Sequence, residues 1–82
     1  MINFAFYGRL ADIMGRERSV SSPQNELTVG EAVALLSAEN DVFKEALSKT
    51  AAKYAVGDSI VDDSFIVKSG DEIAILPPFS GG

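Results

Sequence analysis

This 82-residue chain contains no cysteine, no histidine and no tryptophan, and only three prolines. Without cysteine there is no disulfide and no thiol nucleophile, and a Cys-ligated iron–sulfur cluster is excluded. Without histidine the common Ser–His and Cys–His dyads are unavailable. No carboxylate cluster falls at a metal-ligand spacing, so no metal is expected. Positive charge is scarce too: 7 Lys and Arg stand against 12 Asp and Glu, a net charge of −5. Phosphate-rich ligands need cationic side chains, so neither a nucleic acid nor a phosphorylated metabolite is expected here. No apolar run approaches the roughly 20 residues that span a bilayer, and no signal-peptide pattern opens the chain. A soluble, cytoplasmic protein that touches no membrane is the expectation. Domains of this size bury only about 60–65% of their unfolded surface. With disulfides and metals removed, a partner protein is the remaining source of extra stability.

What is present reads as one folded unit. The hydrophobic fraction of 46% is that of a globular domain. Ile2 to Tyr7 alternates as a strand, with Ile2, Phe4 and Phe6 on one face and Asn3, Ala5 and Tyr7 on the other. Arg9 to Met14 reads as a short helix stopped by Gly15, and Glu17 to Ser21 as an edge strand closed by Pro23. Thr28 followed by Glu31 is a capping box, opening a helix that runs to Asn40 with Val29, Ala32, Val33, Leu35 and Leu36 on its apolar face. Asp41 to Lys49 reads as a second short helix carrying Val42, Phe43, Ala46 and Leu47. Ala51 to Val56 reads as a strand, turned by Gly57-Asp58 into Ser59-Ile60-Val61. After a turn at Ser69-Gly70-Asp71 comes Glu72 to Leu76, apolar enough for a central buried strand. One main helix with one or two short ones against a mixed sheet of four to five strands gives an α+β, β-grasp architecture. Its first and last strands should lie side by side and parallel at the sheet centre.

Side-chain chemistry is poor throughout. The carboxylate pairs Asp62-Asp63 and Asp71-Glu72 sit at turns, and no phosphate-binding glycine loop occurs. The segment unlike ordinary domain material is Pro77-Pro78-Phe79-Ser80-Gly81-Gly82. Neither proline has an N–H to give a sheet neighbour, and Pro77 biases Leu76 towards an extended conformation. Residues 1–76 therefore form the domain and 77–82 an extended arm, able to reach roughly 18–20 Å. Gly81 and Gly82 carry no side chains, so this end can thread a channel too narrow for other residues. The accessible group there is the carboxylate of Gly82.

The run from Gly70 to Gly82 resembles the C-terminal signature of the molybdopterin synthase small-subunit family: Gly-Asp-Glu, an apolar run, Pro-Pro, an apolar and a small residue, then Gly-Gly. The resemblance extends to the opening strand, to Arg9–Gly15 and to Ala55-Val56. Gly57 stands where that family often has Asn, and both residues tolerate the left-handed turn. The resemblance implies a ubiquitin-like sulfur carrier that binds no cofactor itself. An E1-like enzyme spends Mg-ATP to adenylate Gly82, a persulfide-bearing sulfur donor protein converts it to a thiocarboxylate, and the tail (Pro77, Pro78, Phe79, Ser80, Gly81) threads into the synthase large subunit. There the sulfur builds the dithiolene of molybdopterin, in a complex resembling a heterotetramer of two large and two small subunits. The chain would thus have no catalytic side chains of its own. A thiamin-thiazole sulfur carrier, a ubiquitin-like protein modifier and a non-catalytic β-grasp interaction module stand beside this reading. Strand alternation adds an expected partner surface: Tyr7 and Leu76 as outward neighbours beside the departing tail, joined by Ile60.

Overall fold

The computed structural model describes residues 1–22 and 24–77. Pro23 and the tail residues Pro78, Phe79, Ser80, Gly81 and Gly82 lie outside the described residues. The chain order is β1 (Ile2–Phe6), α1 (Gly8–Met14), β2 (Glu17–Val20), β3 (Glu26–Thr28), α2 (Val29–Glu39), α3 (Asp41–Ser48), β4 (Lys53–Val56), β5 (Ser59–Val61), β6 (Ile66–Lys68) and β7 (Glu72–Leu76). Five strands form one mixed sheet in the order β2-β1-β7-β4-β5. At its centre β1 and β7 run parallel, with Phe4 opposite Ile73 and Phe6 opposite Ile75. The expected central pair is therefore present, and the α+β, β-grasp expectation holds.

One face of this sheet is covered. Phe4, Phe6, Ile73 and Ile75 join Leu10 and Met14 of α1, the α2 residues Val29, Ala32, Val33 and Leu36, and Phe43 of α3 in a single core. The capping box forms as the sequence requires: the Glu31 N–H donates to Thr28 Oγ1 at 3.0 Å, and the Thr28 N–H to Glu31 Oε1 at 2.8 Å. Two further N–H groups of that helix start donate to the chain beyond β5, Val29 to Phe65 O and Gly30 to Asp63 O, each at 2.9 Å. Gly30 is needed for that approach, because a Cβ there would lie 3.0 Å from Asp63 Cβ and 3.3 Å from its carbonyl oxygen. Asn40 closes the gap between α2 and α3, its Oδ1 accepting from the Phe43 N–H at 2.9 Å.

The sequence expectation missed a second, two-stranded sheet of β3 and β6, in which Leu27 pairs with Val67. Each strand has three residues with one buried apolar centre, too short for a period-two pattern to register. Val42, placed on the apolar face of the second helix, is instead 61% exposed, and Phe43 alone on α3 is fully buried.

Tyr54 pairs with Val61 and Ile75 on the core side of the sheet and is half-buried. Burial first, and then the nearby Asp63 carboxylate, raise its phenol above the ordinary value of 10.0. The folded state then holds a proton that the unfolded chain gives up near that value. This contribution to stability is complete below pH about 10 and is lost as pH rises through the unfolded pKa towards the folded one. Melting temperatures from about pH 8 to about pH 11 should fall less steeply for Tyr54→Phe than for the native chain. Parallel curves would show that Tyr54 does not carry the alkaline loss.

Candidate functional site

The two central strands end at the same edge because they run parallel. One step beyond the Phe6–Ile75 pair, Tyr7 stands level with Leu76, which pairs on its other side with Lys53. Tyr7 is 50% exposed and caps α1 with extended backbone (φ −135°, ψ 157°), while Leu76 is half-buried. Gly8 then turns the chain away from the sheet with φ +61°, and a Cβ at Gly8 would sit 3.7 Å from Pro77 Cγ. The turn of β1 into α1 thus packs directly on the first tail residue. Pro77 is exposed and is the last described position.

Of the expected surface, Tyr7 and Leu76 come together and Ile60 stands apart. Ile60 is 57% exposed in the middle of β5, two strands away from Leu76. At about 4.8 Å per strand that is roughly 10 Å to the side. What lies between is a row that the sequence reading overlooked. Ala5 pairs with Ala74, Ala74 with Ala55, and Ala55 with Ile60. Paired residues share a face, so three alanines floor the outer sheet face from β1 to β4. The sequence carries the signal three times over, as a small residue between two large ones: Phe4-Ala5-Phe6, Ile73-Ala74-Ile75 and Tyr54-Ala55-Val56. Ala5 is outward-facing by alternation yet only 7% exposed, since a methyl group between larger neighbours offers little surface. Among the described residues no helix buries this face: α1, α2 and α3 all place their buried residues in the core on the opposite side.

Two shallow grooves run along the outer face, and Tyr7 and Glu72 border both. One lies over β4 and β7 and is lined by Ala55, Ala74, Gly57, Gly70 and Asp71; the other lies over β1 and β2, beside Ala5, Asp12, Arg16 and Glu17. Among the described residues no group of three or more potential metal ligands occurs, and no helix is long and apolar enough to cross a membrane. Asp62 is held below the usual carboxylate range by hydrogen bonds from the Ser64 hydroxyl and then from its N–H. Both groups belong to the turn before β6, far along the chain from the tail, and serve turn geometry.

Comparison with known proteins accords with this architecture. Residues 4–82 match the ThiS family. The molybdopterin synthase sulfur carrier subunit of Haemophilus influenzae is 29% identical over 83 residues, covering 100% of both chains. Among solved structures, SAMP1 of Haloferax volcanii superposes with a TM-score of 0.80 at 22% identity, covering 99% of this chain and 98% of that one. A complex of subunits 1 and 2 of the molybdopterin-converting factor from Helicobacter pylori contains a chain 26% identical, with a TM-score of 0.66, covering 99% of this chain and 97% of that one.

Proposed function

The chain belongs to the ThiS family, and on that premise we propose that it is the sulfur-carrying small subunit of a molybdopterin synthase, with Gly82 as the site that is loaded. The observation that carries this reading is the meeting of tail and surface. Pro77, the first residue of the Pro77-Pro78-Phe79-Ser80-Gly81-Gly82 segment, follows the central strand β7 at the edge where Tyr7 and Leu76 stand. The full-length similarity to a curated synthase sulfur carrier supports it. Residues 1–76 act as the docking body and 77–82 as the working arm.

A carboxylate is a poor electrophile, so loading needs an activated acyl group. An E1-like partner exchanges the pyrophosphate of Mg-ATP for the Gly82 carboxylate, giving an acyl-adenylate. The terminal sulfur of a donor persulfide attacks the carbonyl and AMP leaves. A second thiol then cleaves the S–S bond, and the thiocarboxylate remains on Gly82. In the large subunit that sulfur attacks the pterin precursor, and water hydrolyses the acyl–sulfur bond, restoring the carboxylate. This chain contributes the reach of the arm, the absence of side chains at its end, and the surface that docks. In the assembled enzyme two such subunits serve two large ones.

Incubating the protein with the adenylating enzyme, Mg-ATP and a persulfide donor should replace one oxygen by sulfur, seen in the intact mass and located on Gly82 by fragmentation. Sulfur anywhere else removes the basis of the reading. Supplying the loaded protein to the synthase large subunit, or to a thiazole-forming synthase, separates the molybdopterin role from a thiamin role. Lysine-linked adducts in place of transfer would assign it as a protein modifier.

The docking surface has its own test. Leu76→Asp would place an unpaired carboxylate in the docked surface, so it should weaken large-subunit binding at least about tenfold. Leu76 is not part of the buried core, so the isolated domain should keep its fold. Calorimetric titration that returns an unchanged affinity would move the docking surface off this sheet face.

A further inference from the structure

The open face of the sheet is chemically polarised along its strands, and this says what kind of surface it meets. At the tail end stand Tyr7, Leu76 and Lys53. Two residues further along lies the alanine row, Ala5–Ala74–Ala55. At the far end are Glu72, opposite Asn3, and Asp71 in the preceding turn. The groove over β4 and β7 joins these zones, with Tyr7 at one end, the methyl groups of Ala55 and Ala74 as floor, and Asp71 and Glu72 at the other end. No Lys or Arg lines it. One oxygen of Asp71 accepts from the Lys68 N–H at 2.9 Å, which fixes that carboxylate at the groove end. Among the described residues the one ion pair is Lys49–Glu45 on α3, so neither Glu72 nor Asp71 is in a salt bridge; the Met1 ammonium stands in the same turn but donates to Ser69 Oγ, at 2.8 Å.

We infer that this groove receives a lysine or arginine side chain of the partner protein, its aliphatic stem on Ala55 and Ala74 and its charged head against Glu72 and Asp71. The floor suits a stem because alanine lets a methylene chain approach closely without displacing anything, and long cationic side chains commonly lay their stems on apolar surface. The end suits the head because two carboxylates adjoin there and neither is held in a salt bridge. A second copy of this chain is disfavoured as occupant. The chain carries a net charge of −5, so two copies repel one another. A basic partner surface, by contrast, is steered onto the face by that charge and held in register by the groove. The identity of that partner as the synthase large subunit rests on the sulfur-carrier reading; the chemistry of the groove does not.

The test is affinity for the large subunit by calorimetry, with Glu72→Lys, Glu72→Gln and the native chain at two salt concentrations. Glu72 is exposed, so both variants should melt as the native protein does. Glu72→Lys should weaken binding at least about tenfold, and Glu72→Gln should flatten the fall in affinity between about 50 mM and about 500 mM salt. Native binding that Glu72→Lys leaves unchanged overturns the inference and spares the sulfur-carrier reading. If the native chain binds no large subunit, that reading fails, and amide-shift titration with acetyl-Arg-Ala-Arg-amide decides the groove. Shifts at Ala55, Glu72 and Ala74 that vanish in Glu72→Lys uphold it, whereas shifts elsewhere, or shifts kept in the variant, overturn it. Sedimentation showing a dimer that Leu76→Asp disperses would give the face to a second copy and overturn it equally.

Discussion

A Gly81→Trp variant is expected to lose sulfur transfer by at least about a hundredfold while its circular dichroism stays native. The two halves of that expectation have separate causes. Folding is decided by the core around Phe4, Ile73 and Leu36, all within residues 1–76, so a substitution at position 81 removes none of its contacts. On the proposed sulfur-carrier reading, transfer is decided by where the Gly82 carbonyl sits relative to the adenylating and pterin-binding sites. Reactions of held groups depend steeply on placement, and a shift of about 1 Å can cost about a hundredfold. On the same reading, an indole at position 81 cannot enter a channel shaped for a bare backbone. One residue added after Gly82 should be as damaging for a different reason, because the activated carboxyl then belongs to another residue. Single-turnover transfer from protein loaded chemically, bypassing the adenylating step, separates entry into the synthase from activation. Native-rate transfer by Gly81→Trp with an intact fold would end the threading argument. A pure binding module, for comparison, should tolerate both changes.

The sequence disclosed most where a pattern was long or chemically singular. The α2 start was legible because a capping box has a fixed three-residue spacing, and Thr28 and Glu31 do bond reciprocally. The parallel pairing of β1 and β7 followed from two apolar strands at the chain's ends and one good helix between them. Short elements were opaque. β3 and β6 hold one buried residue each, and what makes them strands is the Leu27–Val67 contact across about 40 residues of chain. Val42 was misplaced because at adjacent positions on an eight-residue helix either Val42 or Phe43 can mark the buried stripe, and only the packing against Phe6 selects between them. In the candidate site, Tyr7 and Leu76 could be paired by counting from a parallel register. Ile60 could not be placed, because strand order decides it: β4 lies between β7 and β5. The alanine floor was written in three strands, but it has meaning only once those strands are known to be neighbours.

Phe43→Ala should cost about 3–5 kcal/mol of stability, the usual range for deleting a fully buried phenyl ring. Phe43 is 0% exposed and meets Phe6 edge to face, with ring centroids 5.8 Å apart and planes at 74°. Phe6 in turn stacks on Phe4 of the same strand at 6.3 Å, so the ring of α3 joins an aromatic row on the central strand β1. It is also the single fully buried residue of α3, whose Ala46 and Leu47 are only partly covered. Removing it takes away the anchor of that helix, not one contact among several. A domain of this length has a total stability of about 4–12 kcal/mol, so the variant should stand at the edge of unfolding at room temperature. The Asn40 cap does not rescue it: a cap contributes about 1 kcal/mol, and an eight-residue helix does not persist without tertiary packing. Urea unfolding followed by circular dichroism supplies the measurement, with Val42→Ala as its neighbour control. Val42 is exposed, and its truncation should stay within about 0.5 kcal/mol. Equal losses at the two positions would mean that α3 is held by its whole length, and the assignment of Phe43 as its anchor would be withdrawn. A loss at Phe43 alone also bears on function, since Phe43 packs against Phe6, the residue before Tyr7. Slackening that core contact should loosen the proposed docking edge, and Phe43→Leu, which keeps much of the volume, should preserve both stability and sulfur transfer better than Phe43→Ala.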